Sequence, residues 1–147
     1  MSIVDFSGNV LRTEKIALCV GSVTVQEGIV LDLQNLDCQL SFVCASFGSA
    51  ESSLLLCRPK DARIEDPHLA VVSVEKTDGG FDVTLSCDRP AFYVVPDAGN
   101  IRGKFSDSYF TLNGERVIHF YCNDEDVTAG EFAAALRVFD LYSSCEV

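Results

Sequence analysis

The stretch that decides the fold reads Ala91-Phe-Tyr-Val-Val-Pro-Asp-Ala-Gly-Asn-Ile-Arg-Gly-Lys-Phe-Ser-Asp-Ser-Tyr-Phe-Thr-Leu-Asn-Gly-Glu115. Apolar and polar residues alternate over 110–112, and an apolar run with the same period continues at 117–120. Asn113-Gly114 lies between these runs, and both residues tolerate the positive φ that a type I′ turn requires. The stretch therefore predicts two strands joined as a hairpin, with Asn113-Gly114 at the turn.

Short apolar runs typical of β-strands recur along the rest of the chain, separated by turn residues. Strands this frequent, with few helical patterns between them, favour an all-β sandwich over alternating βαβ units. The predicted strands are 3–6, 10–20, 23–25, 29–33, 38–47, 54–57, 69–75, 81–87, 92–95, 109–112 and 117–122.

Two turn clusters support this interpretation. Ser7-Gly8-Asn9 predicts a turn after the first strand, and Asp78-Gly79-Gly80 predicts a hairpin turn into the strand at 81–87. In that strand every second residue is apolar, which predicts one buried face. The residues on it are Phe81, Val83, Leu85 and Cys87.

The C-terminal segment carries a helix signal. Thr128 and Glu131 have the spacing of a capping box, and 132–136 is rich in helix formers. Residues 136–142 then alternate like a strand. We predict a single helical turn that runs into a last strand, and a helix throughout is the alternative.

A domain boundary is predicted at Arg58–Pro67. This segment holds two prolines and six charged residues, and proline cannot donate a hydrogen bond to a central strand pair. The chain of 147 residues is long enough for two small units. We therefore divide it into residues 1–58 and 59–147.

Composition excludes several classes of function. The net charge is −11, of which residues 1–58 carry −3 (three basic, six acidic) and 59–147 carry −8 (eight basic, sixteen acidic). Because no basic stripe is present, we expect neither nucleic acid nor an anionic membrane as a partner. No run approaches the roughly 18 apolar residues of a membrane span, and the first residues do not resemble a signal peptide.

The seven cysteines are odd in number, and none forms a Cys-x-x-Cys pair. Several lie on apolar strand patterns, so we interpret them as buried free thiols that act as small hydrophobes. That usage suits a reducing compartment, and we expect a cytoplasmic protein. The cysteines are at positions 19, 38, 44, 57, 87, 122 and 145.

Three segments together resemble the C-terminal region of β-mannosidases, in family 2 of the glycoside hydrolases. Asp5–Leu11 is similar to a hairpin of the family's middle immunoglobulin-like domain, and Leu54–Pro67 is similar to the passage between domains. Ala91–Glu115 looks like the mark of the final domain. Ser108 replaces the family's usual Asn and Asn113 its usual Pro, and both leave the turn feasible.

The resemblance implies an accessory role. It implies immunoglobulin-like antiparallel β-sandwich segments, with 1–58 the later part of a middle domain and 59–147 a C-terminal sandwich. The parent enzyme would hydrolyse terminal β-mannosidic bonds with retention, using two glutamates on a (β/α)₈ barrel of about 250 residues. The strand pattern here contains none of that barrel, so the catalytic barrel and the other parent domains are the implied partners. We predict no catalytic, cofactor-binding or metal-binding residues in this chain and no cofactor.

The remaining polar candidates are one acidic cluster and two histidines. Asp124, Glu125 and Asp126 form a cluster that we interpret as a charged loop tip, rather than a catalytic pair or a weak calcium site. His119 reads as a strand histidine and His68 as part of the connector. We expect neither a metal site nor a Ser-His-Asp arrangement from them.

Two rival functions remain open, a stand-alone carbohydrate-binding module and an immunoglobulin-like interaction domain. A carbohydrate-binding module usually binds sugars through exposed aromatic rings, and this chain has no Trp. Its tyrosines lie in or beside apolar strand patterns, which favours core or rim positions. The second predicts a secreted protein with a disulfide. The tyrosines are Tyr93, Tyr109, Tyr121 and Tyr142.

One expectation concerns self-association. If the first strands of a middle domain are missing, residues 10–47 carry unpaired strand edges, and such edges invite pairing with another chain. We therefore predict a homo-oligomer or strand exchange through the N-terminal part.

Overall fold

The computed structural model of the chain describes residues 1–15, 17, 32–48 and 50–145. The strand predicted at 23–25, most of that at 29–33, the second half of that at 10–20 and Cys19 lie outside these residues. The chain divides into two compact units, one of residues 1–5 and 9–62, the other of 6–8 and 63–147. The identification of 1–58 with part of a middle domain stays a prediction.

The first unit contains one antiparallel sheet of four strands in the order β2-β1-β3-β4. The predicted turn after β1 is confirmed: the Asp5 carboxylate accepts hydrogen bonds from the backbone N–H of Asn9 (2.8 Å) and from its side-chain amide (3.0 Å). Core side chains come from β1, β3 and β4, among them Ile3 and Phe42. The strands are β1 Ser2–Asp5, β2 Val10–Thr13, β3 Ser41–Phe47 and β4 Ala50–Leu55.

The connector is not in a strand from residue 56 to residue 69, and it contains a short 3₁₀ turn at Pro59–Asp61. The proline at the start of this turn has the φ that the turn needs and no N–H to leave unpaired. Asp61 accepts a hydrogen bond from the Arg58 guanidinium at 2.6 Å.

The second unit packs two antiparallel sheets and one short helix around one core, with a second short helix after the last strand, which confirms the all-β prediction. Its described residues form a four-stranded sheet in the order β5-β6-β10-β8 and a three-stranded sheet in the order β11-β7-β9. The elements are β5 Ala70–Thr77, β6 Gly80–Ser86, β7 Ala91–Asp97, β8 Gly103–Phe105, β9 Phe110–Leu112, β10 Glu115–Cys122, α1 Ala129–Ala135, β11 Arg137–Phe139 and α2 Leu141–Cys145.

The hairpin predicted at Asp78-Gly79 is confirmed. β5 and β6 pair with Thr77 opposite Gly80, and Gly79 takes a φ of +81°. The predicted face of β6, from Phe81 to Cys87, is buried at every second residue. Gly80 is required for a separate reason, because a Cβ there would collide with the carbonyl oxygen of Phe120 on β10.

The hairpin predicted at Asn113-Gly114 is wrong. β9 pairs with β7, whereas β10 pairs with β6 and β8, so this turn carries the chain from one sheet to the other. Gly114 has a φ of +86° but Asn113 does not have a positive φ, so the turn is not type I′. The carbonyl oxygen of Gly114 accepts the backbone N–H of Cys87, and this bond ties the turn to the end of β6.

The C-terminal prediction is confirmed for the helix and wrong for the length of the strand. Thr128 and Glu131 form the capping box in both directions, and α1 leads into β11. β11 ends at Phe139 because Asp140 starts α2: its carboxylate accepts the N–H of Ser143 at 2.8 Å, and the Ser143 hydroxyl accepts the N–H of Asp140 at 3.0 Å. The alternation through Tyr142 is therefore not a strand.

Aromatic packing fills the space between α1 and the four-stranded sheet. Phe132 of α1 is fully buried and stacks on Phe81 with ring centres 4.4 Å apart. The ring centre of Phe120 lies 4.8 Å from that of Phe132, and the ring centre of Phe105 lies 4.7 Å from that of Phe120. The three-residue strand β8 was not predicted, and it fits beside β10 because Gly103 has no Cβ to meet the Phe120 ring.

Candidate functional site

A bulge in β7 turns one tyrosine outward. Ala91 pairs with Leu112 and Val94 with Phe110, so two residues of β7 face one residue of β9. Tyr93 occupies the bulge with a φ of +55°. Because of this extra residue, Ala91 and Val94 are both buried although three positions apart, while Tyr93 is 38% exposed.

A second tyrosine on the same strand pair has the same unusual backbone. Tyr109 has a φ of +60°, and its N–H donates to the carbonyl oxygen of Val94 at 2.8 Å. Its residue surface is 73% exposed. Left-handed backbone costs an L-residue about 1–2 kcal/mol, and a bulky residue there is an outlier. Tyr93 precedes Val94 and Tyr109 precedes Phe110, and Val94 and Phe110 are paired across the two strands.

Asp107, two residues before Tyr109 in the chain, belongs to a charged pair. The Arg116 guanidinium donates to the Asp107 carboxylate at 2.6 Å, and both side chains are about 40% exposed. The same guanidinium lies over the Phe110 ring, 4.5 Å from its centre. Asp107 also accepts the N–H of Ser108 at 2.8 Å. These contacts fix the backbone that leads into Tyr109.

The chain reaches Tyr109 by crossing from the four-stranded to the three-stranded sheet. Ser106 holds the start of this crossing, since its N–H donates to the carbonyl oxygen of His119 and its hydroxyl accepts the N–H of His119. The stretch that decides the fold is therefore a series of crossings between the two sheets, through β7, β8, β9 and the turn before β10.

The outward face of the four-stranded sheet carries a second polar cluster. His119 Nδ1 lies 2.7 Å from Asp82 Oδ1, on directly paired positions of β10 and β6. The Tyr121 ring contacts the His119 ring edge-on at 4.5 Å, and Lys104 lies 5.4 Å from the centre of the Tyr121 ring. The interpretation of His119 as a strand histidine is confirmed. Its carboxylate partner was not identified, because the pairing of β10 with β6 is not visible in the sequence.

The other candidate residues take part in local hydrogen bonds or ion pairs. Asp124 accepts the N–H of Asp126, and the carbonyl oxygen of Glu125 accepts a hydrogen bond from Lys76 at 2.9 Å. His68 has a φ of +50° and lies 3.2 Å from an Asp88 oxygen. Within the described residues, no group of three or more His, Cys, Asp or Glu side chains could hold a metal ion.

Five cysteines, at positions 38, 44, 57, 87 and 122, have free thiols, but burial is less general than predicted. Cys87 is buried, and its thiol donates to the carbonyl oxygen of Leu112 at 3.4 Å. Burial raises the pKa of the Cys87 thiol, and partial burial raises the pKa of Cys44 as well. Cys38, Cys44, Cys57 and Cys122 are each half-buried.

The tyrosines were predicted at core or rim positions. Tyr109 and Tyr121 are not in the core, since their surfaces are 73% and 47% exposed. The sequence signals both as strand residues, and nothing in its alternation shows that the ring of Tyr109 would stand in solvent. Asp107 and Arg116 were likewise not singled out. The structure joins Asp107 to Arg116 and leaves the rings of Tyr109 and Tyr121 exposed.

Comparison with known proteins identifies the second unit. A family model named Ig_mannosidase, described as an Ig-fold domain, matches residues 64–144, more than half of the chain. The match confirms the predicted immunoglobulin-like class and the resemblance to a mannosidase-type C-terminal region. No curated protein matches the chain. Among the described residues, no helix is long and apolar enough to cross a membrane.

Proposed function

The chain belongs to the Ig_mannosidase family of Ig-fold domains, and from this membership we propose that it is the non-catalytic C-terminal accessory region of a β-mannosidase-like glycoside hydrolase of family 2. The parent enzyme would hydrolyse terminal β-mannosidic bonds. The family match over residues 64–144 is the single observation that carries the proposal.

The proposed task is mechanical. A (β/α)₈ barrel needs about 250 residues, so the catalytic glutamates belong to another part of the parent. The sandwich supports that barrel and fixes its position relative to the neighbouring domains. Its interior suits this role, because the closely packed rings of Phe81, Phe120 and Phe132 hold α1 against the four-stranded sheet.

The remaining parts of the proposal follow from the same assignment. Residues 1–58 are the later part of a middle immunoglobulin-like domain. The partners are the catalytic barrel and the other domains of the parent, with a second copy of the chain as a further one. Five free thiols among the described residues support a reducing, cytoplasmic setting.

Immunodepletion from cells that contain the natural protein tests the proposal. An antibody raised against the purified chain should remove β-mannosidase activity from an extract in proportion to the chain, measured with a chromogenic β-mannoside. A non-binding antibody of the same class is the control. Complete removal of the chain with the activity left in solution would contradict the proposal.

The purified chain gives a second, independent measurement. We expect no hydrolysis of the chromogenic β-mannoside above the rate in buffer. Turnover that co-purifies with the chain and persists after a further chromatographic step would show catalytic machinery in these residues, and the accessory role would then be wrong.

A further inference from the structure

We propose that two copies of this chain pair through the outward face of the four-stranded sheet β5-β6-β10-β8. Side chains alternate between the two faces of a strand, and Phe81 and Val83 of β6 and Phe120 of β10 belong to the core. The side chains between them therefore point away from the core. Their exposure agrees, since Val117 and Tyr121 of β10 are 56% and 47% exposed.

The strand pairing places the outward side chains in three rows that cross the sheet. The rows are Ser73, Thr84 and Val117, then Glu75, Asp82 and His119, then Thr77, Gly80, Tyr121 and Lys104. Each row contains a side-chain contact: the Ser73 hydroxyl donates to that of Thr84 at 3.1 Å, and His119 Nδ1 lies 2.7 Å from Asp82 Oδ1. In the third row, Lys104 Nζ lies 5.4 Å from the centre of the Tyr121 ring. The face is therefore a fixed pattern rather than a set of independent side chains.

Charge divides this face into two halves. The half formed by β5 and β6 carries the carboxylates of Glu75 and Asp82, whereas the half formed by β10 and β8 carries the imidazole of His119 and the ammonium of Lys104. A two-fold axis parallel to the strands, between β6 and β10, lays β5 and β6 of one copy on β8 and β10 of the other. Each half then meets its opposite, and every such contact occurs twice.

The same axis matches the shapes of the two halves. Gly80 has no side chain, and it is the direct partner of Tyr121 in the pairing of β6 and β10. The two-fold axis therefore brings the Tyr121 ring of one copy above the gap at Gly80 of the other. Lys104 is brought above Thr77, one row from Glu75, and rows are about 7 Å apart, a distance that a flexible lysine side chain can span. The strands of the two sheets stay aligned, as in a β-sandwich.

The size of the face sets the expected strength of the contact. Strands about 4.8 Å apart and rows about 7 Å apart give a face of roughly 20 Å by 20 Å, on the order of 400 Å² per copy. A standard interface buries about 800 Å² per partner. We therefore expect a weak dimer, formed at high protein concentration. The inference uses neither the family match nor the strand edges of the N-terminal part.

Sedimentation velocity of the full chain, from about 5 µM to about 500 µM, tests the contact. The sedimentation coefficient of the wild type should rise with concentration. Lys104→Glu and Glu75→Lys should each weaken the association by about tenfold or more, because like charges then meet at two places. Lys60→Glu is the matched control: it changes the net charge as Lys104→Glu does, from an exposed position outside this sheet, and it should associate like the wild type.

Mixing the two charge variants gives the sharpest measurement. An equimolar mixture of Lys104→Glu and Glu75→Lys should recover association, because opposite charges meet again at both places. Circular dichroism of each variant establishes that the sheets are intact. Three results would overturn the proposal: a wild type that stays monomeric at every concentration, a mixture that does not recover association, or association that Lys104→Glu leaves unchanged. The last result would place the contact on another surface, such as the strand edges of the first unit.

Discussion

The two sheets of the second unit differ in the regularity of one strand pair each, although the four-stranded sheet also has a shift of register between β5 and β6. In the four-stranded sheet, β6 and β10 pair over seven consecutive residues without a shift of register. In the three-stranded sheet, β7 and β9 share two aligned pairs, separated by the bulge. Tyr93, in β7, and Tyr109, the residue before β9, both have a left-handed backbone.

The difference shows where stability and strain can coexist. The four-stranded sheet provides the aromatic centre with Phe81 and Phe120, and α1 closes it with Phe132. Strained residues persist only where the surrounding structure determines their conformation, and they recur at ligand sites. We infer that the four-stranded sheet supplies stability that offsets the cost of the left-handed backbone at Tyr93 and Tyr109.

The largest expected effect is the loss of the aromatic centre. Phe132→Ala removes a fully buried ring that stacks on Phe81 and contacts Phe120, and we expect it to lower the unfolding free energy by about 3–5 kcal/mol. Urea denaturation followed by circular dichroism measures it. Val117→Ala, on the exposed face of the same sheet, is the control and should change little. A loss below about 1 kcal/mol in Phe132→Ala would place the stability elsewhere.

The sequence predicts the strands well, but it does not predict which strands pair. Asp78-Gly79 and Asn113-Gly114 look alike as turn signals, yet the first joins neighbouring strands and the second joins opposite sheets. Both signals predict only that the chain reverses its direction. The partner is decided by tertiary contacts, here the bond from Cys87 N–H to the Gly114 carbonyl oxygen, and no local pattern encodes it.

The candidate site was less predictable than the fold. Its tyrosines and their strands are visible in the sequence, and the family resemblance marks the stretch around them. The positive φ of Tyr109 is not visible, because glycine or asparagine is the usual residue in that conformation. The Asp107–Arg116 pair joins the loop between β8 and β9 to β10, nine residues further along the chain, so it depends on the crossing that was predicted wrongly.

The same substitution should have opposite effects in the two sheets. Tyr109→Gly relieves left-handed strain and should leave stability unchanged or raise it by about 1 kcal/mol. Tyr121→Gly removes a ring that contacts His119 from a regular strand, and it should cost about 1–2 kcal/mol. Thermal and urea unfolding of both variants measures the difference. Equal losses would show that the Tyr109 backbone carries no strain.

A smaller loss is expected at the start of α1, which holds Phe132 against the regular sheet. Thr128→Ala removes the hydroxyl that accepts the Glu131 N–H at 3.2 Å, and such caps contribute about 1 kcal/mol. Thr128→Ser keeps the hydroxyl and is the matched control. Urea unfolding should rank wild type and Thr128→Ser together, above Thr128→Ala. If the serine and alanine variants were equally destabilised, the hydroxyl would not be the cause.

The smallest effect concerns Cys87, the residue after β6. Its N–H bonds to the carbonyl oxygen of Gly114, in the turn that leads into β10. Burial raises the pKa of its thiol, so the folded state keeps the proton after the unfolded thiol, with a pKa of about 8.5, has lost it. The stability from this difference is complete below that pH and is lost as the pH rises toward the folded value. Cys87→Ala costs packing at every pH, so the measurement is the slope of unfolding free energy between pH 7 and 10. The slope should be shallower in Cys87→Ala than in the wild type, and identical slopes would show that the thiol titrates alike in both states.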